Sequence, residues 1–308
     1  MVSGEGLFRR LAVVTALFAY LQIALGGVVR VSGSGLGCPD WPLCNGRPYP
    51  PANVHSIIEY SHRAVGSVTG VLIIATVVMA WVVFRRRRPL VAWLASASLI
   101  GVVGEGILGG IVVAKELSPW LVVVHLGLAM MIIGFLVATA IAAMPASSGV
   151  PDRNFRRLAI VVTAATYVMM LTGSTVVASS ADGSCHSWPL CGSGFALDFT
   201  GANAFTMLHR GTVLVVGLLL LHVLSKAFLR WRGVKGMGPI AVAAIAALVL
   251  QVAVGAGSAI TGNAVFDGLH VAIATLVWSG VLATTLLTLP RADTNRELSR
   301  LEVDRTSA

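Results

Sequence analysis

The sequence predicts an all-α integral membrane protein with eight transmembrane helices. Of its 308 residues, 56% are hydrophobic and only 11% are charged, whereas soluble domains are about 25% charged. The chain also divides into eight apolar stretches of roughly the 20 residues that a membrane span requires. An ordinary soluble domain is therefore excluded. A third observation, an internal repeat described below, predicts that the eight helices form two tandem four-helix bundles.

The predicted spans alternate with polar loops along the chain. In order they are Leu11–Val29, Ile57–Phe84, Leu90–Val113, Leu121–Ala143, Leu158–Val177, Phe205–Leu229, Pro239–Ile260 and Leu269–Leu289. The first apolar run is long and lacks a small-residue cleavage site, so we do not interpret it as a cleaved signal peptide.

The net charge of +9 is distributed as in a membrane protein rather than a nucleic-acid-binding protein. If the N-terminus is cytoplasmic, 17 of the 22 Lys and Arg residues fall on the cytoplasmic side, as the positive-inside rule requires. We therefore predict a multi-pass membrane protein with both termini cytoplasmic and no nucleic-acid partner. A secondary role of the basic clusters in binding lipid headgroups or a partner stays open.

The two halves of the chain share a long motif. Cys38-Pro-Asp-Trp-Pro-Leu-Cys44 recurs as Cys185-His-Ser-Trp-Pro-Leu-Cys191, and the offset of 147 residues also relates His62-Arg63 to His209-Arg210. We predict two copies of one unit, residues 1–147 and 148–308, with the boundary in the Pro- and Ser-containing linker 144–157. Four spans per copy give both copies the same orientation, which predicts a pseudo-twofold axis along the membrane normal.

Four histidines occupy matching positions near the outer ends of the inward-going helices. They are His62 and His125 in the first half and His209 and His270 in the second. Even-numbered helices are diagonal in an up-down bundle, so each pair could face one another and supply the two axial ligands of a haem iron. The alternative is four histidines hydrogen-bonded within the bundle. The other histidines, His55, His186 and His222, lack counterparts at this offset and are interpreted as structural or loop residues.

Two further features accompany these histidines in the sequence: glycine-rich ends of the outward-going helices, and an arginine after two of the histidines. The outward-going helices end in glycine-rich segments such as Leu25-Gly26-Gly27 and Leu108-Gly109-Gly110, which favour close helix packing or clearance for a flat macrocycle. Arg63 and Arg210 directly follow two of the histidines and could pair with haem propionates. The alternative for both arginines is a solvated interfacial position.

All four cysteines are predicted to lie in loops outside the membrane, where thiols oxidise. We expect disulfides within each loop, Cys38–Cys44 and Cys185–Cys191, because the intervening Trp-Pro can form a turn. A four-cysteine zinc site between the halves is a weaker alternative, and a redox-active role for the first pair stays open.

Two carboxylates lie within the predicted spans. Glu59 is three residues before His62 and shares its helical face, whereas the second half has Thr206 at this place. A carboxylate beside one ligand site alone suggests a reactive first half, since it can move protons or stabilise a developing cation. The alternative is an interfacial partner of Arg63. Glu105, with Gln251 near the corresponding place, could pair with an arginine or relay protons.

At these residues the chain resembles the haem A synthase family, specifically the bacterial type with cysteine pairs in both halves. The resemblance rests on the eight spans, the cysteine pairs, the Glu-x-x-His-Arg segment at 59–63, His125, His209-Arg210 and His270. It implies an oxidoreductase that oxidises a methyl substituent of haem O to a formyl group, giving haem A for terminal oxidases.

The family resemblance also implies a division of labour between the halves. The first would hold the substrate haem O through His62 and His125, and the second a resident haem b through His209 and His270. Glu59 would be catalytic, with Cys38 and Cys44 functionally important. Expected partners are haem O, membrane lipid and, less directly, haem O synthase and an electron-transfer protein; a homo-oligomer stays open. The alternatives are a dihaem b-type, quinol-linked electron-transfer cytochrome and, more distantly, a transporter.

Overall fold

The computed structural model describes residues 4–145, 151–181, 183–191 and 197–290, whose regular structure consists of eight helices. They are α1 (Gly4–Val31), α2 (Val54–Phe84), α3 (Pro89–Ala114), α4 (Pro119–Ala142), α5 (Arg153–Ala178), α6 (Asn203–Trp231), α7 (Met237–Thr261) and α8 (Ala264–Leu287). All eight are long and apolar enough to cross a membrane. The predicted all-α, multi-pass membrane protein is therefore confirmed.

The helix ends differ from the predicted spans by a few residues. Helix α1 begins at Gly4 rather than Leu11, because its first turns are polar but still helical. Helix α8 begins at Ala264 rather than Leu269, where the side chain of Asn263 accepts a hydrogen bond of 2.9 Å from the amide of Val265. The predicted boundary between the halves, 147/148, and the tail after Pro290 lie outside the described residues.

Two arginines on the linker side of the bundle make specific contacts. Arg88 Nη1 lies 3.2–3.5 Å from the carbonyl oxygens of Ala142, Ala143 and Met144, at the end of α4. Arg88 Nη2 and Arg9 Nη2 each donate to Glu5 Oε2 at 2.7 Å. A cation at a helix C-terminus stabilises the unpaired carbonyls there, so these basic residues are structural in addition to indicating topology.

Each set of four helices packs as a closed ring. Helices α1 to α4 contact one another in sequential order and α4 returns to α1; α5 to α8 do the same. Between the two sets, α1 contacts α8, α4 contacts α5, and α4 contacts α8. Exchanging α1 with α5 and α4 with α8 leaves this pattern unchanged, as a twofold axis would require. The pseudo-twofold symmetry and the two-domain division themselves stay predictions.

Hydrogen bonds join the two sets along α4. Trp278 Nε1 on α8 donates to the carbonyl oxygen of Met130 at 2.8 Å, and Tyr167 Oη on α5 donates to that of Gly127 at 3.0 Å. Interhelical hydrogen bonds of this kind contribute about 0.6 kcal/mol each in a membrane. They fix α4, and therefore His125, relative to the second set of helices.

Candidate functional site

The four predicted histidines lie near the helix ends on the side of the bundle that carries the cysteine loops, and each packs against a glycine of the preceding helix. A Cβ added to that glycine would lie only 2.9–3.3 Å from the histidine Cε1. The pairs are Gly26 with His62, Gly109 with His125, Gly173 with His209, and Gly255 with His270. The glycine-rich helix ends therefore leave room for the imidazole rings. This role is more specific than the two that the sequence suggested, close helix packing and clearance for a flat macrocycle.

A polar side chain on the same preceding helix approaches each imidazole. Gln22 Nε2 lies 3.2 Å from His62 Nε2, Thr172 Oγ1 lies 3.1 Å from His209 Nδ1, and Gln251 Nε2 lies 3.1 Å from His270 Nδ1. Glu105 Oε1 lies 3.1 Å from His125 Nδ1, although the ring is not aligned for a hydrogen bond. Each histidine thus packs against a glycine and lies close to a polar side chain, both on the preceding helix.

Sequence reasoning missed the partners Gln22 and Thr172. A signal was present for the first, because Gln22, Glu105 and Gln251 each lie four residues, about one helical turn, before the glycine that contacts the ring. In α5 that place holds Met169, and Thr172 directly before Gly173 takes the role.

The histidines are grouped as the sequence predicts. His125 is near enough for its charge to act on His62, and His270 is near enough to act on His209. Helices α2 and α4 make no direct packing contact in the described residues, so the first pair meets across the interior of its bundle rather than along a helix seam. The structure therefore brings both predicted pairs together.

The residues present fit a haem with two axial histidines. The Nδ1 atom of His62 is buried and has no hydrogen-bond partner, which leaves it available to a metal. Paired imidazoles are a haem-type donor set. No group of three or more His, Cys, Asp or Glu residues that could hold a bare metal ion occurs in the described part of the chain.

Both cysteine loops are closed by internal disulfides. Cys38 is joined to Cys44, with Cα atoms 4.5 Å apart, and Cys185 to Cys191, with Cα atoms 5.4 Å apart. The two predicted pairings are therefore present. The alternative zinc site between the halves is excluded, since the described residues contain no free cysteine.

Arg63 and Arg210 bind the cysteine loops. Arg63 donates to the carbonyl oxygens of Cys38, Asp40 and Leu43 at 2.6–2.7 Å. Arg210 donates to those of Ser187 and Pro189 at 2.8 and 3.1 Å. Ser187 is the counterpart of Asp40 at the offset of 147, so the two halves repeat this contact. Pairing of the arginines with haem propionates stays a prediction.

Glu59 is the buried junction between α2 and the first loop. It is 3% exposed, its Oε2 accepts from the amide of Cys38 at 2.7 Å, and its Oε1 accepts from Arg63 Nη2 at 2.5 Å. Its counterpart Thr206 donates to the carbonyl oxygen of Ala181 at 3.3 Å. The structure thus contains the contact of the alternative interpretation, Glu59 with Arg63, while the catalytic role stays a prediction.

The first loop has a further anchor at its tip. Asp40 accepts from the amides of Asn45 and Gly46 at 2.5 and 2.7 Å. The hydrogen bond from Gly46, followed by that from Asn45 and the charge of Arg63, holds the pKa of Asp40 below its usual value. The second loop has Ser187 here, whose hydroxyl donates to Leu190 at 2.6 Å.

The remaining histidines lie away from the two pairs. His55 Nδ1 is 3.0 Å from Ser34 Oγ, where it ties the first loop to the start of α2. His186 is exposed in the second loop. His222 lines a shallow groove on α6 with Lys226 and Arg230. These positions agree with structural or loop roles.

Comparisons with known proteins cover most of the chain. The family model described as cytochrome oxidase assembly protein (COX15-CtaA) matches residues 9–57 and 52–282. Heme A synthase of Shouchella clausii is 29% identical over 267 residues, 83% of this chain and 88% of the relative. Heme A synthase of Alkalihalophilus pseudofirmus is 29% identical over 287 residues, 90% of this chain and 95% of the relative. With its paired histidines and disulfide-closed loops, the chain belongs to the cytochrome oxidase assembly protein family COX15-CtaA.

Proposed function

We infer that this chain is an oxidoreductase that converts haem O to haem A within the membrane, the activity for which its relatives are named. One structural observation carries the inference: the two halves repeat the histidines and the disulfide-closed loops, yet the buried carboxylate Glu59, three residues before His62, has the uncharged Thr206 as its counterpart in the second half. A protein that only transfers electrons between two haems has no need of that difference.

The two sites have different tasks in this proposal. His62 and His125 hold the substrate haem O in the first half, and His209 and His270 hold a resident haem b in the second. His209 and His270 would hold a haem that supplies single-electron exchange. Arg63 and Arg210 keep the cysteine loops closed over the two sites through the carbonyl contacts described above.

Glu59 assists oxidation of the haem O methyl group to a formyl group in one of two ways. Its negative charge stabilises positive character that develops on the substrate, which requires no change in its contacts. Alternatively, it accepts a proton. Each carboxylate oxygen accepts one hydrogen bond, from Cys38 or Arg63, and keeps a second lone pair that can take a proton.

The loop containing Cys38 and Cys44 is coupled to this carboxylate. The amide of Cys38 itself donates to Glu59, so any change in the disulfide alters the position of the catalytic side chain. This contact supports a functional role of the first cysteine pair, which the second pair lacks because Thr206 replaces the carboxylate.

The charge distribution supports a bacterial cell membrane as the location, with both termini cytoplasmic and the cysteine loops outside. Haem O synthase and an electron-transfer protein are proposed partners, because the substrate is apolar and its oxidation releases electrons.

The decisive experiment is chromatography of haems extracted from the purified protein. A haem A synthase should contain haem b together with haem O, a hydroxylated intermediate or haem A. Haem b alone, even after coexpression with a source of haem O, would support the dihaem cytochrome instead. Absence of any haem would leave the transporter interpretation.

A further inference from the structure

Glu105 is the second carboxylate within the bundle, and the role proposed for Glu59 assigns it no function. It lies on α3, one turn before Gly109, and its side chain is 15% exposed. Its Oε1 lies 3.1 Å from His125 Nδ1, and its Oε2 is buried without a hydrogen-bond partner. Its neighbour is therefore a proposed haem ligand, rather than the arginine that the sequence left open.

On the preceding helix the other three histidines have uncharged partners; His270 also has Asp267 three residues before it on its own helix. Gln22 Nε2 lies against His62 Nε2 and Thr172 Oγ1 against His209 Nδ1. Gln251 reaches His270 through its amide nitrogen, a donor, which lies 3.1 Å from both ring nitrogens. Gln251 and Glu105 are close equivalents: each lies one turn before the glycine that contacts the ring. Glutamine and glutamate have almost the same shape, so this difference between the halves is chemical rather than steric.

We propose that Glu105 is a positioning residue that accepts a hydrogen bond from the Nδ1–H of His125 and makes this imidazole a stronger electron donor than it would be beside a glutamine, the residue type that contacts His270. This inference rests on the proposed function, in which both histidines bind haem iron. The distance between Glu105 Oε1 and His125 Nδ1 is already that of a hydrogen bond, and a rotation of the ring completes the alignment.

The physical basis is the second ring nitrogen of a metal-bound histidine. An acceptor on that nitrogen fixes the tautomer and the ring orientation and raises the basicity of the ligand. A carboxylate is a stronger acceptor than an amide. A more basic ligand favours ferric over ferrous iron, so the first site should have a lower reduction potential than it would have with glutamine.

The test exchanges the two partners in the full-length protein. Glu105→Gln should raise the reduction potential of haem in the first site, and Gln251→Glu should lower that of haem b in the second. Potentials are measured by spectroelectrochemical titration after loading the purified protein with haemin. A tenfold change in the ratio of ferric to ferrous affinity corresponds to about 59 mV for one electron. The ferric electron paramagnetic resonance spectrum gives a readout independent of activity.

Two controls separate the outcomes. Glu105→Asp keeps the charge but shortens the reach, so it should lie between wild type and Glu105→Gln. His125→Ala tests the proposed function: if haem in the first site keeps its spectrum, the ligand assignment itself is wrong. The second outcome is that His125→Ala abolishes that spectrum, whereas Glu105→Gln and Gln251→Glu change neither the reduction potentials nor the spectra. This outcome would overturn only the positioning role of Glu105. The unaltered site in each variant reports whether the protein has folded.

Discussion

The two cysteine loops share a covalent plan but differ in how they attach to the helix below. In the first half, Arg63 and Glu59 bind the loop together, and the carboxylate also accepts from the amide of Cys38. In the second half, Arg210 binds two loop carbonyls and the buried carboxylate is replaced by Thr206. In the proposed function, the shared disulfides and histidines serve haem binding, and the differences mark the half that oxidises the substrate.

The largest effect should come from removing one of the histidines that both halves share. His209→Ala or His270→Ala should abolish the haem b spectrum of the second half, because each is proposed to supply one of the two ligands of the haem iron. The Cys185–Cys191 disulfide should still form, as mass spectrometry after alkylation without reduction would show. His222→Ala is the matched control on α6, since His222 lines the distant groove. Unchanged haem content in both ligand variants would contradict the assignment.

The next largest effect concerns Glu59, which the second half replaces with Thr206. Glu59→Gln keeps the size of the side chain but removes its charge, so we expect haem A formation to fall by about 10²-fold or more while haem b is retained. Chromatography of extracted haems should show accumulated haem O or a hydroxylated intermediate. Glu116→Gln, at an exposed turn between α3 and α4, is the control.

Two results would change the interpretation of Glu59. Haem A yield equal to that of the wild type would leave it as a buried partner of Arg63 and nothing more. Loss of haem b from the second half as well would indicate that the carboxylate is needed for folding.

The sequence predicts the elements that repeat more reliably than the contacts that join them. His62, His209 and both disulfides follow from the offset of 147, and His125 and His270 follow at similar distances of 63 and 61 residues beyond them, because a repeated pattern distinguishes them from isolated residues. The loop contacts of Arg63 could not be predicted in this way, since their acceptors are backbone carbonyls, which every residue carries. Gln22 and Thr172 were missed because a single polar residue in an apolar helix does not indicate which neighbouring helix it faces.

The third prediction tests the coupling between Arg63 and Glu59. Arg63→Ala should destabilise the first half by about 3 kcal/mol, because it leaves a buried carboxylate without its partner. Arg210→Ala should cost less, since Thr206 carries no charge. Thermal release of haem and the rate of disulfide reduction would measure both effects. The double variant Glu59→Gln/Arg63→Ala should recover part of the loss; strictly additive effects would contradict the coupling.

The smallest effect concerns the tip of the first loop, where Asp40 accepts two backbone amides and its counterpart is Ser187. Asp40→Ala should speed hydrogen exchange at the amides of Asn45 and Gly46 a few-fold at neutral pH, with Asp40→Asn between the two. Ser187→Ala serves as the comparison in the second loop, because its hydroxyl carries no charge and its effect should not vary with pH.

The pH dependence gives the sign of the Asp40 effect. The amide of Gly46, then that of Asn45 and the charge of Arg63, hold the pKa of Asp40 below its ordinary value of 3.8. The ionised carboxylate therefore stabilises the loop above that value, and the stabilisation is lost as pH falls through the lower pKa of the folded state. The difference in exchange between wild type and Asp40→Ala, corrected for intrinsic rates, should thus shrink in acid. A difference that persists or grows there would show that packing, rather than the charge of Asp40, orders the loop.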